Sequence, residues 1–336
     1  MTDLSPLNGV NRLLFTVPLK PLQSDRFQPT GFPNLGAATY QTSAGQKLLV
    51  ESAQSMANRL ETVCWDTVNN QPVADLKGIS HVTVTRQGKF LTDTMLEAHR
   101  LNSAYLLEGK DKTFLTRLSE ELGDFEVGPI DRHRFARTLL RFDVGSLIHG
   151  VFLAKKDLAG GRLRMARAVS AFIEATGVRV AASGGVKNDH VHPSKVKGDS
   201  KNHFGNIPFA RDEFTADSID CHINIDLAQI RGYGLDERVE RMLILLALFR
   251  VRRLLDGDLR LRTACDLTPV DGDSIRASRP SGFMLPSSSE LDASVAEAIT
   301  PCCELMSHET ITFEDKLEKA QDDTSDDDSD AKTDEE

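Results

Sequence analysis

The last 23 residues set the first limit on what this chain can fold into. From Glu314 they read EDKLEKAQDDTSDDDSDAKTDEE, with 12 acids, 3 bases and no aromatic residue. A segment this charged cannot bury enough apolar surface to offset the entropy lost on ordering it. One elaborated domain is therefore expected over 1–313, with 314–336 as a disordered acidic tail. The whole chain has 336 residues and a net charge of −10. Taking the tail from the totals of 50 acids and 40 bases leaves 38 and 37, so the body is nearly neutral at −1. Its bases are grouped, in RHRFARTLLR (132–141), KKDLAGGRLRMAR (155–167) and RVRRLLDGDLRLR (250–262). Each group alone reads as a solvated helix face. Three of them in a neutral body point to a polyanionic partner.

The longest apolar run, MLILLALF (242–249), is too short to cross a bilayer, and no membrane segment is expected. The N-terminus, MTDLSPLNGVNR, lacks a basic start followed by an apolar stretch, which predicts no secretion leader. Five cysteines without a C-x-x-C pair predict a reduced, cytoplasmic protein. The chain has neither an internal repeat nor a G-x-x-x-x-G-K-[ST] phosphate loop.

Periodicity predicts interleaved strands and helices, an α+β class. Strands are expected at NRLLFTVPLKPL (11–22), around LIHGVFL (147–153), at VRVAAS (178–183), at DCHINIDL (220–227) and at LRLRTACDLTPV (259–270). HVTVTRQGKFL (81–91) alternates about a Gln-Gly turn, as a hairpin does. Helices are expected at LLVESAQSMANRLETVCW (48–65), within 93–122, at RLRMARAVSAFIEATG (162–177) and at DERVERMLILLALFRVRRLLDGD (236–258). On the first of these, Val50, Ala53, Ala57, Leu60 and Cys64 form an apolar stripe. The opposite arc carries amides and hydroxyls suited to phosphate and sugar oxygens. Residues 25–46, rich in glycine, proline and small polar residues, read as a long loop with room for a short hairpin.

One stretch invites three chemical readings. Residues 183–193 are SGGVKNDHVHP. His190 and His192, with His203 and the Cys221-His222 pair, can be assembled on paper into a zinc site. Their spacings match none of the common zinc patterns, so no metal is expected. The two histidines could also form an acid–base pair, but nothing nearby in sequence would tune them. The third reading is a loop that grips nucleic acid. Gly184-Gly185 would let the backbone leave a strand end at positive φ. Lys187, Lys195, Lys197, Lys201 and Arg211 would hold phosphates, with Phe204 and Phe209 interleaved to meet bases.

Five blocks in order carry a family resemblance: PTGFPNLGAATY, LLVESAQSMANRLE, SLIHGVFLA, ASGGVKNDHVHP with GNIPFARDEFTA, and INIDLAQIRGYGL. Together they resemble the backbone subunit of type I-G (formerly I-U) CRISPR effector complexes, the repeated Cascade subunit of the RAMP superfamily. They spread from about residue 26 to 235 and leave the tail outside.

The resemblance implies an RRM-like (ferredoxin-like) core with large insertions, including a projecting thumb-like hairpin. It implies a non-catalytic prokaryotic protein that polymerises along CRISPR RNA. Its partners would be that RNA, target DNA reached through the guide, further copies of itself and other effector subunits, with no cofactor. The best thumb candidate is 184–211. The expected RNA-binding residues are Ser52, Gln54, Asn58 and Arg59 on the first helix, then Lys187, Asn188, His190, His192, Lys195, Lys197, Lys201, Phe209 and Arg211. The chain departs from a standard RRM in lacking the glycine and aromatic pattern of its RNA-reading strand, so gripping of the RNA backbone is expected in place of stacking on the sheet. The alternative is a RAMP endoribonuclease cutting target or precursor RNA, as relatives in type III complexes cut with a loop aspartate. Asp25, with Asp189 behind it, would be the candidate.

Overall fold

The computed structural model describes residues 2–32, 36–43, 45–123, 129–188, 190 and 207–314. The elements that position the site are, in chain order, β1 (Arg12–Pro21), β2 (Thr39–Thr42), β3 (Gly45–Glu51), α1 (Ala53–Thr62), β4 (His81–Arg86), β5 (Lys89–Asp93), α2 (Thr113–Leu122), α3 (Arg132–Phe142), α4 (Val144–His149), β6 (Val169–Thr176), β7 (Arg179–Lys187), β8 (Ile207–Thr215), β9 (Ser218–Asp226), α5 (Leu227–Gly232), α6 (Glu237–Asp256), β10 (Arg260–Arg262), β11 (Cys265–Pro269), β12 (Ala277–Arg279), α7 (Ser288–Ile299) and β13 (His308–Thr312). The protein is thus mixed α and β. Among the described residues no helix is long and apolar enough to cross a membrane.

The main sheet is antiparallel and runs β10-β11-β1-β9-β6-β3-β2, with β12 also on β1. β1 is central because its side chains alternate cleanly. Leu13, Phe15, Val17 and Leu19 are buried, while Arg12, Thr16, Pro18 and Lys20 face outward. Pro18 falls between the pairing with β12 at Leu14–Phe15 and the pairing with β11 that starts at Leu19, where a missing N–H matters least. β6 and β9 alternate in the same way, burying Val169, Ala171, Ile173 and Ala175 against Ile219, Cys221, Ile223 and Ile225. α1 packs on β6, and α6 packs on α1 and β11. On the outward face Phe172 and His222 lie ring to ring, with centroids 5.0 Å apart. A separate small sheet carries β5, β4 and β13, with β13 parallel to β4.

Several expectations need correction. Residues 162–177 are not a helix. Leu163–Met165 is a short strand and β6 follows it. The alanines and arginines of this stretch suit a helix, but Val169, Ala171, Ile173 and Ala175 repeat every second residue, and that period prevails. The segment 48–65 opens as a strand. β3 ends at Glu51, Ser52 accepts a hydrogen bond from the Ser55 amide (3.3 Å), and the helix starts only there. Around 147–153, α4 reaches His149 and the strand is just Val151–Leu153. Residues 259–270 form two strands joined by a turn at Ala264, whose φ is 59°. Within 93–122, Asp93 ends β5 and the main helix is confined to α2.

The basic group 250–262 is only partly at the surface. α6 is wrapped by the core, so Arg250 is fully buried and Arg252 is 8% exposed. Among the described residues Arg250 Nε, Nη1 and Nη2 have no hydrogen-bond partner. Nearby, Arg100 donates through Nε to Glu61 Oε1 (2.8 Å) and through Nη1 to the Gly150 carbonyl (3.2 Å). Burial pushes the Glu61 carboxyl up to about 7, against the pull of Arg100 and Arg250.

Candidate nucleic-acid interface

The ladder between β6 and β9 ends at Thr176↔Ser218. Gly177 turns the chain at φ 65°, and β7 then pairs with β8 from Arg179↔Thr215 to Lys187↔Ile207. This ribbon is a two-stranded sheet of its own that continues the core hairpin outward. Nine residues per strand reach about 30 Å. Apolar side chains along it are exposed: Val180 (62%), Val186 (54%) and Phe209 (52%).

The expected positive φ at Gly184-Gly185 does not occur. Both glycines lie mid-strand, opposite Ala210 and Phe209. Glycine is needed at 184 for another reason. A Cβ there would sit 2.7 Å from the Phe209 carbonyl oxygen, so two backbones approach too closely for any side chain.

The root of the ribbon is held firmly. Phe27, fully buried, and Phe214 exchange two backbone hydrogen bonds of 2.9 Å each. Arg211 donates through Nε to the buried Glu213 carboxylate (2.9 Å), and Arg26 lies 3.7 Å from the other oxygen of that carboxylate. Two clefts flank this root. One, of about 520 Å³, is lined by Arg26, Arg211 and Arg260 with Ser24, Glu213 and Asp266. The other, of about 760 Å³, lies against Gln28, Thr30, Gly31, Gly36, Arg211 and Arg262. Arg26 and Arg260 are 50% and 80% exposed, so both can meet an anion from solvent.

Beneath the second cleft the carboxylate of Glu51, 1% exposed, takes both Arg59 and Arg262. Arg59 also donates to the carbonyls of Arg260 (3.1 Å) and Leu261 (2.5 Å), and Arg262 donates to that of Gln28 (2.9 Å). Burial draws both guanidiniums below their ordinary value. One carboxylate against two guanidiniums leaves this junction positive. The Thr30 amide donates to the Val50 carbonyl (3.0 Å), tying the cleft loop to the strand that leads into α1.

The expected site residues separate into groups. Gln54 and Asn58 are exposed on α1, while Ser52 caps the helix and Arg59 braces β10. Lys187, Asn188 and His190 are exposed at the far end of the ribbon, Phe209 is exposed on it and Arg211 lies at its root. His192, Lys195, Lys197 and Lys201 lie outside the described residues, as do Asp189, His203 and Phe204. Cys221 is buried in β9 and His222 points to the opposite sheet face, because strand neighbours alternate. Burial pushes the Cys221 thiol up to about 12. Among the described residues no group of three His, Cys, Asp or Glu lies together to hold a metal ion. Sequence reading missed Arg26 altogether, and it saw Arg260 and Arg262 only as members of a basic group. Only folding brings them to the ribbon root.

The family model described as CRISPR-associated protein GSU0053 matches residues 13–180, half of the chain. The chain belongs to this CRISPR-associated family. The match runs from β1 to the start of β7, so it takes in β1, β3, β6 and α1 and leaves out β9, β10 and β11. No curated protein matches the chain. Among solved structures, it is similar to a chain of a CRISPR RNA-guided surveillance complex described as pre-nicking, at 14% identity over 77% of this chain and 73% of that one, TM-score 0.40. It is also similar to Csc2 of Thermofilum pendens, at 10% identity over 88% and 76%, TM-score 0.33.

Proposed function

We propose that this protein is the RNA-gripping backbone subunit of a type I-G CRISPR effector complex, acting in the prokaryotic cytoplasm. Copies assemble along the guide RNA beside other effector subunits and present it for pairing with target DNA. The role is non-catalytic, because base pairing reads the sequence and the protein has only to hold a backbone. Residues 1–313 act as one RAMP domain.

The ribbon is the observation that carries this reading. A structural hairpin buries its apolar residues. This one exposes Val180, Val186 and Phe209, and its root is flanked by Arg26, Arg211 and Arg260. Support for a ferredoxin-like core comes from the sheet order β11-β1-β9-β6, with α1 and α6 packed against it. The ribbon, set in the β6–β9 connection, is where a thumb would project. The exposed amides of Gln54 and Asn58 suit a groove that contacts phosphate and sugar.

The experiment is to purify the protein and measure its absorbance ratio, then titrate short single-stranded RNA at rising salt. Copurifying RNA in a filament-sized particle is expected, with affinity falling by orders of magnitude between low and moderate salt. Nucleic-acid-free protein that ignores single-stranded RNA at low salt would overturn the reading.

A further inference from the structure

A second surface carries nucleic-acid chemistry away from the ribbon. Val151–Leu153 pairs with Leu163–Met165 to form a small hairpin. Val151, Leu153 and Leu163 are buried, so alternation turns Phe152 and Arg164 outward as a cross-strand pair. Phe152 is 52% exposed. Between residues 151 and 168 the chain carries Lys155, Lys156, Arg162, Arg164 and Arg167 against Asp157 alone, a local net of +4 in a body of net −1. Lys155 is tied to Glu108 (2.7 Å). Lys156 and Arg164 are exposed, and their side chains make no hydrogen bond or ion pair among the described residues. Arg167 donates to the Ala53 carbonyl (3.2 Å), which joins the patch to the start of α1 and so to Gln54.

We propose that this hairpin is a second contact for single-stranded nucleic acid, with a base stacked on Phe152 and phosphates against Arg164 and Arg167. The ring gives any base a π-face, and the guanidiniums supply the charge. A protein partner fits less well. Protein interfaces are poor in lysine and the like charges here repel one another, whereas phosphate neutralises them. The inference rests on the RNA-binding reading for its ligand class and adds a site that the ribbon does not include.

The test uses the full chain and a bromouridine-labelled single-stranded RNA. Photocrosslinking of the wild type is expected to mark the peptide holding Phe152. Phe152→Ala should weaken binding about 5- to 150-fold, the usual range for losing one stacked base. Phe152→Tyr should keep it, and Arg164→Glu should weaken it while lowering the salt dependence. Unchanged binding by Phe152→Ala and Arg164→Glu, with crosslinks confined to the ribbon, would overturn the inference and leave the RNA-binding reading intact. Wild-type protein that binds no RNA at low salt would sink both. A Phe152→Ala variant altered only in self-association would also overturn the inference and make the patch a contact between copies. If a variant fails to fold, crosslinking of the wild type decides alone.

Discussion

Arg100 and Glu61 form a buried ion pair, 5% and 2% exposed, with Arg100 Nε 2.8 Å from Glu61 Oε1. α1 supplies the acid and the segment after β5 the base, so the pair ties an insertion to the sheet-packing helix. Arg100→Met leaves the carboxyl without its main partner and should cost about 3–5 kcal/mol. Replacing both with Met should recover most of that loss. Denaturant midpoints of the two variants check this, and equal losses would mean that the pair is not coupled.

A pH prediction follows from His149. Both ring nitrogens are buried without hydrogen-bond partners among the described residues, and burial, then Arg250, Arg100 and Arg167, hold its pKa well below 6.5. The folded value lies below the unfolded one. Below pH 6.5 the unfolded chain therefore takes up a proton that the folded chain refuses, and stability falls with pH by about 1.4 kcal/mol per unit. His149→Leu should remove this contribution, so its stability relative to wild type should rise as pH drops from 6.5 toward 5. Parallel curves of melting temperature against pH would contradict it.

Replacing Lys187, Lys195, Lys197 and Lys201 together with alanine should weaken RNA binding severalfold or more. The melting temperature of the free protein should stay nearly constant, since lysine is almost never buried unpaired and surface substitutions usually change stability within about 0.5 kcal/mol. Binding isotherms and thermal melts decide. A variant that melts early would make these lysines structural.

Asp25 is exposed in the turn after β1 and has no hydrogen-bond or ion-pair partner among the described residues. Incubating the assembled complex with complementary RNA and magnesium should leave the RNA intact, and Asp25→Ala should behave as the wild type does. Cleavage lost in Asp25→Ala would establish the endonuclease reading.

Much of the sheet was legible because β1 and β9 bury alternate residues, a pattern that needs no knowledge of partners. α6 was legible for a different reason: twenty residues without Gly or Pro are too long for an ordinary strand. β6 reads as a helix from sequence because its alanines, and the Arg-rich stretch before them, are compatible with one. Only its neighbours β9 and β3 make the two-residue period decisive. The sequence suggests a core strand at 178–183 with a projection from Gly184 onward, but pairing begins at Arg179, so RVAAS (179–183) belongs to one arm of the ribbon and not to the core sheet. The reason for Gly184 is an interstrand approach, which no single strand reveals. The cleft arginines were beyond reach for the same reason, since Arg26 and Arg260 meet only through β1, β11 and the ribbon root.

The ribbon grows directly from the paired ends of β6 and β9, with its root fixed by Phe27 and Phe214. Its length is therefore independent of the fold. Adding or removing two residues on each strand would change how far it projects while keeping every side chain on the same face, whereas one residue on each would swap the faces beyond it. Such a device can be retuned in reach, in steps of about 6.6 Å, without disturbing a single core contact.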